Sequence, residues 1–469
     1  MSWKWISSFI QYIRFLATHE KVKIAKFLVW LTVVLGATTG CVILVRERVI
    51  NLISEPTATT ISSIRHHTLT FPAVTVCNLN SFGSEILKER NLTRLLQLSV
   101  ILTLLRRGEH CEDILESVPQ SSNLNMNYEE LIVEARHHVE DFILVCSFAG
   151  KPCGNITEVF EPIIINMRLC YTFNSGRLKP PVQSRIIGQR FGLQLVVNVN
   201  QSDYAMAFDE GVQVAVHQQS EPPLADDQGI AVPTGSHALI GIKERRIQDE
   251  TKRNCTIPED LSNLNFLQGE YSTYSESACF VDCILTSMAD NCECIGARSF
   301  YSPDTARYSQ LPNCTVKKAC CIFNELFFRE CNCPVACSSI SYDTSVSYSN
   351  FPAKCFSPLV ASETGIPEES IPKNILFIST FFDTLNVEMQ TTRGVFSLGA
   401  LLADIGGDVG LCLGLSVISI LEFGSWIIKM VRNLDLSKKL KKVKDHKCLF
   451  WRQKHSTAIT LDEKSSPLL

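Results

Sequence analysis

Residues 27–45 read FLVWLTVVLGATTGCVILV and residues 409–428 read VGLCLGLSVISILEFGSWII, and the architecture follows from these two stretches. The first holds 19 residues and no charge. As a helix rising ~1.5 Å per residue it covers about 28 Å, close to the hydrocarbon thickness of a bilayer. The second carries one charge, Glu422. The first reads as a span rather than a signal peptide: its apolar part is too long, and Arg46, Glu47 and Arg48 follow it instead of a small-residue cleavage pattern. A third apolar run, Leu95 to Leu105, is too short to span and is expected to be a buried helix.

Charge orients the spans. Residues 1–26 carry a net +4, residues 429–469 a net +7, and everything between them a net −15, within a total of −4. Positive flanks stay inside, so both termini are expected in the cytoplasm and the segment between the spans outside. The expected division is 1–26 cytoplasmic, 27–46 first span, 47–396 extracellular, 397–430 second span with the pore, and 431–469 a basic cytoplasmic tail. Glycosylation acceptors agree: Asn-X-Ser/Thr occurs at Asn91, Asn155, Asn200, Asn254 and Asn313, all between the spans. The basic tail Lys438 to Lys444 reads mainly as a solvated stop-transfer anchor that can also lie on anionic lipid.

Of 20 cysteines, 17 lie between the spans, and Cys41, Cys412 and Cys448 do not. Cys279 and Cys283, four apart, share one face of a helix. The usual zinc spacings are missing, and sequons beside Cys255 and Cys314 put the region in an oxidising compartment, so a ladder of disulfides is expected and no metal. Leu193, Leu195, Val197 and Val199 alternate, as do Val212, Val214 and Val216; Ala238–Ile242 and Ile375–Phe382 are further strands. Helical signal lies in 95–106, 127–142 and 276–291.

Several classes are excluded. There is no phosphate loop, no Gly-X-Ser-X-Gly elbow and no His-Glu-X-X-His, so the chain is not read as an enzyme and no cofactor is expected. The pairs His66-His67 and His137-His138 are expected on the surface. No Lys/Arg excess speaks for nucleic acid.

Particular residues go further. Phe71-Pro72-Ala73-Val74-Thr75-Val76-Cys77-Asn78-Leu79-Asn80, Cys170 to Gly176 (CYTFNSG), Glu221-Pro222-Pro223, the cysteine frame from Cys279 to Cys337, and Leu401-Leu402-Ala403-Asp404-Ile405-Gly406-Gly407 followed by Gly414-Leu415-Ser416 occur in one order. In these the chain resembles the degenerin/epithelial sodium channel superfamily, in its acid-sensing and bile-acid-sensitive branch. The resemblance covers about residues 25 to 430. It implies a membrane α+β fold, with two transmembrane helices flanking a large disulfide-rich extracellular domain of palm, finger, thumb and knuckle. It implies a homotrimer or heterotrimer in the lipid bilayer of the plasma membrane, passing Na+ when an extracellular ligand (protons, a bile acid, a peptide or another small molecule) acts on it. The implied pairings are Cys77–Cys170, Cys146–Cys153, Cys255–Cys337, Cys279–Cys333, Cys283–Cys331 and Cys294–Cys314. Cys292 would pair with Cys320 or Cys321, leaving Cys111, Cys355 and the other of the adjacent pair over, enough for a further bridge.

The same resemblance assigns pore roles. Gly414, Leu415 and Ser416 match the selectivity segment, where hard oxygens replace part of a cation's water shell. Leu415 stands where alanine is commoner in this branch. Ala403 matches a position whose small side chain lets these channels close, and Gly410 matches the amiloride contact. Asp404 and Asp408 would gather cations at the outer mouth and Glu422 at the inner one. Glu221 and Glu325 are candidates for ligand or proton sensing.

Two departures bear on gating. The family's His-Gly pair before the first span is missing; its place falls near Gln11-Tyr12-Ile13. The acidic cluster is thinned, with Ser220 in place of one carboxylate, and Thr57 and Ser62 stand where acid-sensing relatives have a histidine and an aspartate. A non-conducting regulatory subunit or surface receptor of the same fold is the first rival reading. An ATP-gated two-span trimeric channel is the second, although its lysine-rich nucleotide site has no counterpart.

Overall fold

The computed structural model describes residues 3–432, apart from 55, 95–96, 98–123, 136, 166–167, 178, 206, 208, 220, 263, 265, 268–272, 297–307, 309, 396, 415, 417 and 420. The expected helix at 95–106 therefore lies largely outside the described residues, as do Ser220, Leu415, Cys111 and the basic tail. The chain divides into two compact units, Met1–Thr57 with Gly394–Leu469, and Ala58–Arg393. Five helices matter for function: α1 (Trp3–Ser54), α2 (Tyr128–Glu134), α3 (Glu276–Asn291), α4 (Ala319–Phe328) and α5 (Leu398–Leu413).

In the first unit α1 is unbroken and runs well beyond 27–46, because no proline interrupts it before Pro56. Among the described residues one helical stretch, Val22–Ser54, is long and apolar enough to cross a bilayer. Its apolar side chains face outward: Phe27, Leu28, Val29, Trp30 and Val33 are each more than half exposed. A continuous apolar surface of that kind is stable against lipid, not water.

The second apolar stretch is helical in more than one part. α5 begins at Ser397, whose hydroxyl accepts from the Ala400 N–H at 3.1 Å, and stops at Gly414. Gly414 has φ +64° and donates its N–H to Gly410 O at 2.9 Å. Glycine takes this left-handed cap without a Cβ penalty. Helical backbone resumes at 418–419 and 421–432.

The second unit is built on strands β1 (Thr57–Arg65), β2 (Leu69–Thr70), β3 (Ala73–Asn78), β4 (Ile143–Phe148), β5 (Lys151–Pro152), β6 (Phe160–Ile165), β7 (Arg168–Phe173) and β8 (Gln183–Ser184). It continues with β9 (Leu193–Asn198), β10 (Val212–His217), β11 (Ile230–Val232), β12 (Ser236–Asp249), β13 (Ser338–Asn350), β14 (Ile375–Phe382) and β15 (Asn386–Gly394). The larger sheet has the order β1-β15-β12-β14-β9-β4-β5, with β13 also on β12; the smaller is β11-β10-β3-β7-β6. β12 is the spine. It pairs antiparallel with β13 from Ser236↔Asn350 to Gln248↔Ser338, and parallel first with β14, then with β15.

Expected alternation is visible in the packing. Leu193, Leu195, Val197 and Val199 are fully buried, and so are Val212 and Val214. They meet Ala238, Ile240 and Ile242 in one apolar core, with Phe71 edge-on to Phe148, Phe173 and Phe382. The 127–142 helical signal resolves into α2 and a short turn, Val139–Phe142. The 276–291 signal is α3, capped by Ser275, whose Oγ accepts from the Ala278 N–H. His137 is only partly exposed, whereas His138 is on the surface as expected. The His137 Nε2 lies 3.5 Å from the Asn80 amide, and burial holds its imidazole below the usual range.

Disulfides join these parts. Cys77–Cys170 links directly opposed residues of β3 and β7. Cys279 and Cys283, one turn apart on α3, bond Cys333 and Cys331 in reversed order, so residues 331–333 strap one face of the helix. Cys292 takes Cys321, and Cys320 is disulfide-bonded elsewhere. Cys294–Cys314, Cys255–Cys337 and Cys146–Cys153 complete the described set. Cys41, Cys355 and Cys412 are free thiols.

Candidate pore segment and sensing sites

The first unit carries the residues matched to a pore. α1 and α5 pack side by side and run antiparallel. Arg48 on α1 reaches both acids expected at the outer mouth: its Nε is 3.2 Å from Asp408 Oδ2 and its Nη1 3.7 Å from Asp404 Oδ2. One guanidinium thus offsets part of the charge of two carboxylates. Arg48 was not singled out from the sequence, where it reads as an ordinary flanking charge. Further along the same pair of helices lie the free thiols of Cys41 and Cys412.

Gly410 sits on the last full turn of α5, and Gly414 ends it. The last carbonyls of a helix have no partner within it and carry its negative dipole end, so they suit a cation. Ser416 has a second task that its type allows but its motif hides. Its Oγ accepts from the Ser419 N–H at 3.2 Å and lies 3.1 Å from Ser419 Oγ, so it caps the helix that resumes. The oxygen keeps a further lone pair. Ala403 and Glu422 are exposed within the chain, Glu422 on the resumed helical segment.

The second unit carries the sensing candidates, and it does not bring them together. Glu221 touches Ser277 near the start of α3 (Oγ to Oε2, 3.4 Å). Glu325 on α4 is held by Ser287 and by the Asn291 amide at 2.8 Å, near the end of α3. Ten residues of helix separate Ser277 from Ser287, about 15 Å. They are therefore not a carboxylate pair.

Glu221 is set apart by its surroundings. Burial pushes its carboxyl up to about 7; the Ser277 hydroxyl opposes this and Glu276 adds to it. Tyr342 of β13 lies near the carboxyl, whereas the His217 ring meets the Glu221 backbone. His217 accepts from, or donates to, Thr75 Oγ1 at Nε2 (2.8 Å), and Nδ1 lies 2.9 Å from Gln218 O. The carbonyl can only accept, which makes Nδ1 the N–H and leaves Nε2 to accept from Thr75. Thr75 in turn meets Thr172 at 2.7 Å. Burial pushes the imidazole down to about 4, so it is neutral near pH 7. The acid is the group poised to titrate there. Sequence reading missed the His217–Thr75–Thr172 chain, because its members are 142 and 97 residues apart.

A small apolar cleft also opens in this unit, lined by Ile132, Ile164, Phe280, Ile284, Met288 and Leu326, with Asp227 among its few polar groups. The acceptors Asn91, Asn155 and Asn254 are exposed, and Asn200 and Asn313 partly so. No group of metal-ligating residues occurs among the described residues.

The first unit thus holds an apolar helix and a glycine-broken second apolar segment, and the second holds a β-rich domain stapled by disulfides. Residues 8–425 match the family described as amiloride-sensitive sodium channel, so the chain belongs to that family. It is 27% identical over 442 residues to acid-sensing ion channel 1A of Danio rerio, covering 88% of this chain and 85% of the relative. It is 27% identical to acid-sensing ion channel 1 of Gallus gallus (94% and 86% covered) and 28% identical to acid-sensing ion channel 2 of Homo sapiens (87% and 82% covered). These relatives, like the family, are channels and not enzymes.

Proposed function

We propose that the chain is a subunit of a trimeric, amiloride-sensitive, sodium-selective channel of the plasma membrane, opened by an extracellular ligand. Both termini are cytoplasmic, 47–396 is extracellular, and 397–430 lines the pore. The observation that carries this reading is the break of α5 at Gly414. It frees helix-end carbonyls next to the Ser416 hydroxyl, below an outer mouth carrying Asp404 and Asp408. Three copies around an axis make a ring of hard oxygens suited to Na+. Gly410 is the amiloride contact, and Glu422 gathers cations at the inner end. Leu415 in place of alanine tunes selectivity. The test is whole-cell current from the chain expressed alone, with amiloride block. In Ser416→Cys, the sodium/potassium permeability ratio is expected to change or a thiol reagent to block the pore. Unchanged permeation and block would remove Ser416 from the filter.

Protons are the ligand that Glu221 supports. Its folded-state pKa is raised, so protonation stabilises the conformation described here. That contribution is complete below the ordinary carboxylate pKa and is lost as pH rises through about 7. An acid response resting on Glu221 is therefore centred near neutral pH. Glu221→Gln removes the titration and is expected to flatten the current-against-pH curve over about a unit either side of pH 7. An unaltered curve would transfer the trigger to another ligand, such as a bile acid or peptide, for which the apolar cleft offers a seat.

A further inference from the structure

We infer that Cys41 and Cys412 are a reversible disulfide site that ties α1 to the last turn of α5. Both are free thiols, Cys41 buried and Cys412 partly exposed. The Arg48 ion pairs set the two positions opposite each other, because steps of seven on α1 and of four and eight on α5 keep each cysteine on the helix face that carries the charges. Arg48 lies seven residues after Cys41, and its partners Asp408 and Asp404 lie four and eight residues before Cys412. At ~1.5 Å per residue that is about 10 Å along α1 against about 6–12 Å along antiparallel α5. Thiol pair and ion pairs are thus two rungs of one helix contact. Neither thiol has a competing partner, since the only other free one among the described residues is Cys355 of the second unit.

The reaction needs a membrane-permeant two-electron oxidant of the azo or peroxide class. With an azo compound, the more exposed Cys412 thiolate adds to the N=N bond, and Cys41 sulfur then displaces the hydrazine. Both S–H bonds break and one S–S bond forms. Two electrons and two protons pass to the oxidant, and a thiol reductant reverses the step. The bond lies two residues before Gly414, so it restrains the turn on which the helix breaks. This coupling role rests on the pore reading of α5; formation of the bond does not.

The test uses the full chain with a protease site inserted after His67. The N-terminal fragment then contains Cys41 as its one cysteine. After diamide treatment and cleavage, the fragment is expected to stay attached on a non-reducing gel. Dithiothreitol, Cys41→Ser or Cys412→Ser should each release it. Release from the treated wild-type chain overturns the proposal. Attachment when Cys41→Ser and Cys412→Ser chains are co-expressed would place the bond between subunits and overturn the within-chain assignment. In parallel, diamide is expected to change the current by about fivefold or more in the wild type and to leave Cys412→Ser insensitive. An attached fragment with unchanged current overturns the coupling. Absence of any current counts against the channel reading and leaves the gel result standing.

Discussion

Ala403→Phe is expected to give a standing, amiloride-blocked sodium current with no agonist present. Ala403 is exposed on α5, with no packing over it from the described residues of its own chain. A larger side chain therefore meets resistance only where copies of α5 approach one another on a closed axis. Overpacking costs ~1–3 kcal/mol per site, and three sites cost the closed state several kcal/mol. A change of that size moves a two-state gate by about two decades or more. The measurement is amiloride-sensitive current at resting pH, with surface biotinylation as the control for delivery. The variant also bypasses the unknown ligand and the missing His-Gly pair. If it reaches the surface and stays silent, the regulatory-subunit reading replaces the conducting one.

Loss of the Cys77–Cys170 bridge is expected to remove most mature protein from the cell surface. The bridge closes a loop of 93 residues across opposed strands. By loop closure alone its removal costs about 4–5 kcal/mol, against about 2–3 kcal/mol for the 7-residue loop of Cys146–Cys153. The first cost approaches the whole stability of an ordinary domain. The double variant Cys77→Ala/Cys170→Ala should therefore be retained inside the cell, while Cys146→Ala/Cys153→Ala should still reach the surface in part. Equal loss from both would mean that loop constraint is not the reason the long bridge matters.

Much of the fold was legible along the chain. Period-2 burial at Leu193–Val199 and the helix at 276–291 depend on residues close in sequence, and so does the apolar length of the first span. Family motifs supplied the disulfide pairings, except the choice at Cys292, because the adjacent Cys320 and Cys321 are equivalent in any pattern. Here the path of α4 relative to the end of α3 selected Cys321.

The sequence by itself determined the apolar first span, through local composition, and the expected orientation and disulfide-rich middle, through charge and cysteine usage. The residues of the candidate pore came from the resemblance of their motif to a known family. Tertiary structure alone decided which charges meet and which groups lose water. It placed Arg48 against Asp404 and Asp408, 356 and 360 residues away, and separated Glu325 from Glu221. It also pushed the Glu221 carboxyl up to about 7. Desolvation and ion pairing depend on neighbours brought close in space, and no spacing along the chain encodes them.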